Sequence, residues 1–322
     1  MHKQRTKGEH YIPNKSYLNY FTDNTTPKKS TLWVYENKQQ ILTNINRVTA
    51  KNISPEKFCK DNYLYESPAF PLNAIENALA ELEGKYKIIV DNKLLKGLEI
   101  TSTEKEVVAR YLSALEMRTP LNKQNADEFI NQLLEHTIAL EEAHNVKEPS
   151  ELRKELEAAL KQNFMFTTSL ASAMDFNRYQ ICDFQILTIN PVFADLFFIT
   201  SDFPVTMLSF TMLNNFYPPT PMDITAETVI PITPQMAILV NNIGENGYKE
   251  IDYNFVDEVN SRVLRRANSY IISDRKLTAD FISRTRRHFP QSFILLNLET
   301  FLSQKRKERF GLKEESSGQV KA

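Results

Sequence analysis

The chain has 322 residues, of which 42% are hydrophobic and 11% aromatic, a composition that supports a sizeable core and excludes an intrinsically disordered protein. Its 39 basic and 40 acidic residues give a formal net charge of -1, so global charge indicates neither a nucleic acid nor an acidic membrane surface as partner. A chain of this length forms either two domains or one elaborated domain.

Cysteine usage and hydropathy predict the compartment. The two cysteines, Cys59 and Cys182, lie far apart and form no CxxC pair, which predicts a reducing compartment and argues against a thiolate zinc site. Residues 1–9 are polar and lack the apolar region of a secretory signal. No apolar run approaches the ~20 residues that a membrane helix needs. We therefore expect a cytoplasmic protein without a membrane partner.

The first predicted element is an aromatic N-terminal segment. It reads HYIP at residues 10–13 and YLNYF at residues 17–21. Four aromatic rings so close together will not stay solvated, so we expect the segment 8–36 to dock on the body of the protein. His10 then lies against a surface, either as a partly buried, hydrogen-bonded histidine or as a general acid, a general base or a metal ligand.

Helical patterns follow through the middle of the chain. Ser54 is expected to cap the first helix, and Thr103 with Glu106 is expected to form a capping box at the start of the third. Apolar spacing predicts helices over residues 52–65, 73–90, 103–118, 125–144 and 149–177.

Three polar residues of these helices are candidates for a site. Glu76 and Glu83 are seven residues apart and share one helix face, beside an apolar stripe where a carboxylate is solvated, paired or metal-bound. Arg118 ends the third helix, because Pro120 disfavours helix at the residue before it. There it either interacts with the helix dipole or binds a phosphate or carboxylate through its planar fork.

Strand patterns dominate from residue 181. Asp202 lies at the end of the core strand in FFITSDFPV (residues 197–205), either as a site carboxylate held by the sheet or as an acceptor for the turn's own N–H groups. Two helices are predicted at residues 253–268 and 276–287. Strands are predicted at residues 31–35, 181–189, 196–200, 205–211, 228–232, 236–240, 269–273 and 292–298.

These elements predict an α+β fold with a helical N-terminal half packed on a largely antiparallel sheet in the C-terminal half. We expect one elaborated domain over residues 1–305, followed by a frayed, charged tail at 306–322. Its helical lobe spans about 52–177 and its sheet lobe about 178–300. The basic cluster at residues 284–288 is either a solvated face or a phosphate-facing patch.

Short motifs in a fixed order resemble a known family. The chain is similar to domain-of-unknown-function family 4238 (DUF4238), a largely bacterial, uncharacterised family, over roughly residues 8–275. The motifs are HYIP with YLNYF, Ile75-Glu76 with Glu83, Arg118-Thr119-Pro120, ITSDFP at 199–204, and PITP at 231–234 with Asn260. The chain departs from the family at Phe203, where Asn is common, and at Leu115, where Gln is common.

The resemblance implies no activity, but it implies which polar residues matter and that members occur among mobile and defence-associated bacterial genes. The residues are His10, Glu76, Glu83, Arg118 and Asp202. No GxGxxG, Walker, HExxH or GxSxG motif accompanies them.

One function that fits these residues is a phosphodiester hydrolase, such as a nuclease, acting on nucleic acid or a nucleotide. Glu76, Glu83 and Asp202 would bind a divalent cation, Mg²⁺ or Mn²⁺, through oxygen ligands. His10 would act as general acid or base, and Arg118 would neutralise phosphate charge. A version without metal uses His10 with an acidic residue.

The other function is a non-catalytic binding or sensor module. In it the same residues form a buried polar network that holds the N-terminal segment to the sheet. The sequence favours the enzyme, because five polar residues of complementary type exceed what a fold usually needs. It leaves open the substrate, the metal dependence and the oligomeric state.

Overall fold

The computed structural model describes residues 8–23, 30–36, 50–175, 178–179, 182–209, 220–221 and 225–288. The strands are β1 (Gly8–His10), β2 (Leu32–Glu36), β3 (Ala50–Ile53), β4 (Lys60–Asn62), β5 (Asp183–Ile189), β6 (Thr200–Ser201), β7 (Thr206–Ser209), β8 (Ala226–Thr233), β9 (Met236–Asn241), β10 (Gly247–Ile251) and β11 (Tyr270–Ser273). The helices are α1 (Ala74–Asn92), α2 (Ser102–Met117), α3 (Pro120–Ala143), α4 (Glu151–Lys161), α5 (Phe164–Asp175), α6 (Tyr253–Arg266) and α7 (Ala279–Arg287).

The protein is α+β, as predicted, but its helices do not fill the N-terminal half. Strands β1 to β4 come before the run α1 to α5, which occupies the middle of the chain. The N-terminal strands pair with partners far along the chain: β2, for example, lies between β3 and β11 in a four-stranded sheet. The division into a helical first half and a sheet second half is therefore wrong in detail, because non-local pairing is invisible to local periodicity.

Three sheets are present among the described residues. β1 pairs with β4 alone, β3-β2-β11-β6 form the second sheet, and β10-β5-β9-β8-β7 form the third. β10 runs parallel to β5, and the other pairs of named strands are antiparallel. The predicted strand at 292–298 and the predicted tail at 306–322 lie outside the described residues.

The predicted helix at 52–65 is wrong. The chain there forms the end of β3, a short 3-10 turn (Pro55–Lys57) and β4. Cys59 and Tyr63, on either side of β4, have positive φ values of 51° and 55°. An α-helix needs negative φ throughout, so these two residues interrupt any helix.

Two further helix boundaries differ from the predictions. The capping box of α2 is Thr101 with Glu104, two residues before the predicted pair, because Thr101 has the extended backbone that an N-cap requires. The predicted helix 149–177 is two helices, α4 and α5, interrupted where Asn163 takes a φ of 51°. Asparagine adopts this left-handed conformation more readily than most residues.

The N-terminal segment is part of the core. Ile12, Tyr17, Leu18 and Phe21 have no exposed surface. The Tyr17 hydroxyl donates to the Pro231 carbonyl at 2.6 Å, which fixes the segment to β8. Among the described residues, no helix combines the length and the apolar character that crossing a membrane requires.

Candidate functional site

Strand β1 carries two polar side chains into the body of the protein. In its antiparallel pairing with β4, His10 lies opposite Lys60, and Glu9 lies opposite Asp61. Glu9 is fully buried and His10 is partly buried, whereas Lys60 and Asp61 are exposed. Alternation along a strand sends successive side chains to opposite faces, so Glu9 and His10 have different direct neighbours. Glu76 relates the two, because its charge acts on Glu9 and because Lys60 and Arg118 act on both Glu76 and His10.

Hydrogen bonds hold the segment around β4 against β1, although its backbone is strained at two residues. Cys59 and Tyr63 are bulkier than the residues that usually take positive φ, and such conformations persist only where the surroundings enforce them. The Tyr11 N–H donates to the Cys59 carbonyl at 2.9 Å. The Tyr65 hydroxyl donates to the His10 carbonyl at 2.9 Å. These bonds fix the backbone on which the candidate side chains are mounted.

Arg118 joins the N-terminal segment to the helices. It follows the last turn of α2 and is 2% exposed. Its Nε donates to the Tyr65 hydroxyl at 3.0 Å, its Nη1 donates to Glu83 Oε1 at 2.6 Å, and its Nη2 donates to the His10 carbonyl. All three nitrogens of the guanidinium are thus engaged by the protein itself, which makes Arg118 a positioning residue.

The second carboxylate oxygen of Glu83 also has a protein partner. Ser16 Oγ donates to Glu83 Oε2 at 3.5 Å, and the same hydroxyl lies 3.3 Å from the Tyr111 hydroxyl. Both carboxylate oxygens of Glu83 therefore have a hydrogen-bond partner. Glu83 lies on the face of α1 that its spacing to Glu76 predicts.

Glu76 lies near these groups but is bound less completely. Its Oε2 atom is buried and has no hydrogen-bond partner among the described residues. Burial raises the pKa of Glu76, the Arg118 cation opposes this shift, and the negative charge of Glu83 adds to it. Glu76 therefore tends to hold a proton more firmly than a solvated glutamate.

Glu9 is a second buried carboxyl group, and sequence reasoning missed it. Its Oε2 accepts the Tyr65 N–H at 2.8 Å, and its Oε1 has no hydrogen-bond partner among the described residues. Burial raises the pKa of Glu9 to about 7; the Tyr65 hydrogen bond opposes this shift, and the charge of Glu76 adds to it. The signal was the alternation in GEHYI, which buries one of two adjacent polar side chains in a strand.

Burial and nearby cations favour the neutral form of His10. Burial lowers the pKa of His10, and the positive charges of Lys60 and Arg118 lower it further. The Glu56 backbone hydrogen-bonds the imidazole, while the buried Nε2 has no partner within the described chain. The proton of the neutral ring is then on Nδ1, facing Glu56, and Nε2 keeps its lone pair, as a general base requires.

Asp202 is anchored elsewhere. It is 5% exposed, and its two oxygens accept the N–H groups of Asn268, at 2.9 Å, and Ser269, at 2.8 Å, in the connection from α6 to β11. Burial raises the pKa of Asp202, and these hydrogen bonds oppose the shift. Its charge acts on Tyr11, the residue after His10. No hydrogen bond or ion pair in the described residues joins Asp202 to the other four predicted site residues.

The three predicted metal ligands are not brought together. In the part of the chain that the structure describes, no three His, Cys, Asp or Glu side chains form a group that could hold a metal ion. Glu83 binds Arg118 and Ser16, and Asp202 binds backbone N–H groups. The oxygens of two of the three predicted Mg²⁺ or Mn²⁺ ligands, Glu83 and Asp202, are thus already hydrogen-bonded within the protein, whereas Glu76 Oε2 is not.

The predicted basic cluster at residues 284–288 partly faces buried acids. Arg284 Nε forms an ion pair with Asp257 Oδ2 at 2.8 Å. His288 Nε2 lies 2.9 Å from Glu258 Oε2. Both acids belong to α6 and are at least 95% buried. These two side chains of the cluster attach α7 and the residue after it to α6.

Comparison with family models decides which family the chain belongs to. Residues 9–276 match the model described as a protein of unknown function, DUF4238. This chain belongs to the DUF4238 family. No curated protein and no solved structure matches it. All five predicted site residues, together with Glu9, Lys60 and Tyr65, fall within the matched range of this DUF4238 protein.

The two positions at which this DUF4238 protein departs from the resemblance are both buried and apolar. Phe203 is 2% exposed, and its ring lies 4.3 Å from the Arg266 guanidinium carbon. Leu115, which is on α2, is 1% exposed and packs in the hydrophobic core. Neither position supplies a polar group to the candidate site.

Replacing Asp202 by alanine should lower the free energy of unfolding by about 2 kcal/mol, since two N–H groups lose their acceptor. Asp202→Asn keeps one acceptor and should lose about half as much. Asp195→Ala, at an exposed aspartate, is the matched control and should change stability by less than about 0.5 kcal/mol. Urea denaturation measures all three; equal stability of Asp202→Ala and the control would show that the anchor is unimportant.

Proposed function

We propose that this DUF4238 protein is a hydrolase that cleaves phosphodiester bonds in nucleic acid or a nucleotide, with its active site at Glu9, His10 and Glu76. The observation that carries the proposal is that three of the buried polar atoms without a hydrogen-bond partner among the described residues, Glu9 Oε1, His10 Nε2 and Glu76 Oε2, belong to titratable groups linked by electrostatic interactions. Buried polar atoms are normally satisfied, and exceptions are frequent where a ligand binds or chemistry occurs.

The ionisation states of these groups suit general acid–base catalysis. Neutral His10 accepts a proton at Nε2 from a water molecule as the water oxygen attacks phosphorus. The acid is the Glu9–Glu76 carboxyl pair, which holds a proton near neutral pH because burial raises both pKa values. That proton passes to the leaving oxygen as its bond to phosphorus breaks. The products are a phosphomonoester and an alcohol.

The remaining residues of the network position these groups. Arg118 binds the His10 carbonyl and Glu83, so it fixes β1 relative to α1 without facing the substrate. His10 and the carboxyl pair carry out the proton transfers, because the oxygens of Glu83 and Asp202 are held by other protein groups.

A cavity of about 870 Å³ is lined by Glu56, whose backbone binds the His10 imidazole. Its volume is in the size range of ligand pockets. Hydroxyl and amide side chains of Asn19, Thr31, Asn52 and Ser54 line the same cavity. A cavity of this character suits the sugar and base of a nucleotide.

The setting that we propose is the bacterial cytoplasm. The two cysteines are free and buried, which suits a reducing compartment. The family resemblance implies defence-associated genes, a setting in which cleavage of nucleic acid or nucleotides is useful to the cell.

The test is hydrolysis of RNA, DNA and nucleotides by the purified protein, with and without Mg²⁺ or Mn²⁺. His10→Ala should lower the rate by about 10²–10⁴-fold, the contribution typical of a general base. His144→Ala, at an exposed histidine after α3, is the control and should leave the rate unchanged. Absence of hydrolysis by the wild-type protein, or an unchanged rate for His10→Ala, would rule the proposal out.

A non-catalytic binding or sensor module is the second candidate function. The observation that favours it is the complete engagement of Arg118 by Tyr65, Glu83 and the His10 carbonyl, as expected for a network that only stabilises the fold. For such a module, His10→Ala should lower the melting temperature, and the wild-type protein should show no hydrolysis for the substitution to abolish. Measuring stability and hydrolysis on the same variants separates the two functions.

A further inference from the structure

Lys60 has an unusual position in β4. Its side chain crosses over β1 at Gly8, which stands one residue before Glu9. A Cβ atom at Gly8 would lie 2.3 Å from Lys60 Cε and 3.0 Å from Lys60 Nζ. Only glycine therefore leaves room for the lysine to follow its present course across the strand.

The Lys60 ammonium is a cation without an ion pair among the described residues. Five described lysines bind carboxylates within 3 Å, namely Lys51, Lys85, Lys87, Lys123 and Lys154, whereas Lys60, like several others, does not. What distinguishes Lys60 is its place opposite His10 in the pairing of β1 with β4. Lys60 is exposed, yet its charge lowers the pKa of His10 and opposes the raised pKa of Glu76. Because it stands opposite His10 in the pairing of β1 with β4, it lies on the solvent side of His10.

We propose that Lys60 is the anion subsite of the candidate active site and binds the phosphate group of the substrate. A phosphodiester brings a negative charge that some cation has to neutralise, and the three nitrogens of Arg118 are already bound. Lysine suits this role, because its ammonium is a mobile point charge with three donors. The inference rests on the proposed function for the chemistry, but binding can be measured without turnover.

A bound phosphate also changes the proton affinity of His10, the proposed general base. The charged groups that act on His10 are Lys60, Arg118 and Glu83, and the Glu56 backbone binds its ring. A phosphate at Lys60 offsets one of the two positive charges beside the imidazole, so His10 becomes a stronger proton acceptor when substrate binds. The subsite therefore couples binding to catalysis.

The experiment is an NMR titration of the full chain with inorganic phosphate, in which the His10 ring signals are followed over a range of pH. In the wild type, phosphate should raise the pKa of His10. Lys60→Gln should raise that pKa before any ligand is added and weaken phosphate binding about fivefold, the upper end for one accessible ion pair. Lys51→Gln removes the same charge from a paired, exposed lysine and should leave both quantities unchanged.

Gly8→Ala tests the geometry separately. The added methyl group meets only the flexible end of the lysine side chain, so the protein should fold normally while Lys60 is displaced and phosphate binds more weakly. Failure of phosphate to bind the wild type, or equal affinity in Lys60→Gln, would overturn the inference.

Parallel arms with a nucleoside monophosphate and a short single-stranded oligonucleotide show which source of phosphate is preferred. Phosphate binding that needs Lys60 in a protein without hydrolase activity would uphold the subsite and reject the proposed function. If the protein is a hydrolase and Lys60→Gln leaves its kinetics unaltered, the proposed function is upheld and the subsite is rejected.

Discussion

Replacing Arg118 by methionine should lower the free energy of unfolding by about 3–5 kcal/mol, the cost of removing one partner from a buried ion pair. The Arg118 side chain is 3% exposed and that of Glu83 is 22% exposed. Methionine fills part of the space of the stem, but it removes the cation from Glu83, the donor to the Tyr65 hydroxyl oxygen and one of the two donors to the His10 carbonyl. Urea denaturation at pH 7 measures the difference.

Arg110→Met is the matched control for this variant. Arg110 is also on α2 and forms an ion pair with Glu106, but both side chains are at least 40% exposed. Such a pair contributes little, so the control should lose less than about 1 kcal/mol. Similar losses for the two variants would mean that Arg118 stabilises the fold only through its aliphatic stem, and that the network does not position β1.

The position of Arg118 could be predicted from the sequence, whereas its partners could not. A proline two residues later predicts the end of α2, and spacing alone places Glu76 and Glu83 on one face of α1. The contact between Arg118 and Glu83 needs the packing of α1 on α2. The contact with His10 needs β1 to pair with β4, some 50 residues later in the chain.

The pairing of β1 with β4 was hidden by the length of the strands. Each has three residues, too few for a periodic pattern, and the segment containing β4 was predicted as helix. Cys59 and Tyr63 adopt positive φ although neither residue type signals it. The burial of Glu9 and the position of Lys60 both follow from this pairing. The alternation in GEHYI is a signal for one buried polar residue, but it does not say which of the two is buried, and no local pattern indicates Lys60.

Asp202 shows the same limit in a different form. The strand predicted at 196–200 is wrong in extent, because only Thr200–Ser201 (β6) is a strand, but Asp202 does follow it and accepts backbone N–H groups. Of the two roles left open by the sequence, acceptance from its own turn does not include the N–H groups of residues 268 and 269, which come after α6. Local sequence indicates what a side chain can accept, and tertiary structure decides which donors reach it.

Replacing Glu9 by glutamine should change how stability depends on pH. The pKa of Glu9 is about 7 in the folded protein, against 4.5 for an ordinary glutamate, so the folded state binds the proton more tightly than the unfolded state. This contribution to stability is fully present below pH 4.5 and is lost as pH rises through 7. The loss amounts to about 3 kcal/mol at pH 8. Glutamine is neutral throughout and can still accept the Tyr65 N–H.

Glu9→Gln should therefore match the wild type near pH 4.5 and exceed its free energy of unfolding by about 3 kcal/mol at pH 8. The comparison isolates Glu9, because other groups, such as Glu76 with its raised pKa and His10 with its lowered pKa, are present in both proteins. Glu99→Gln, at an exposed glutamate, should show no such divergence. If the difference in free energy of unfolding between Glu9→Gln and the wild type is the same from pH 4.5 to 8, Glu9 ionises normally. The carboxyl pair would then hold no proton to give to a leaving group.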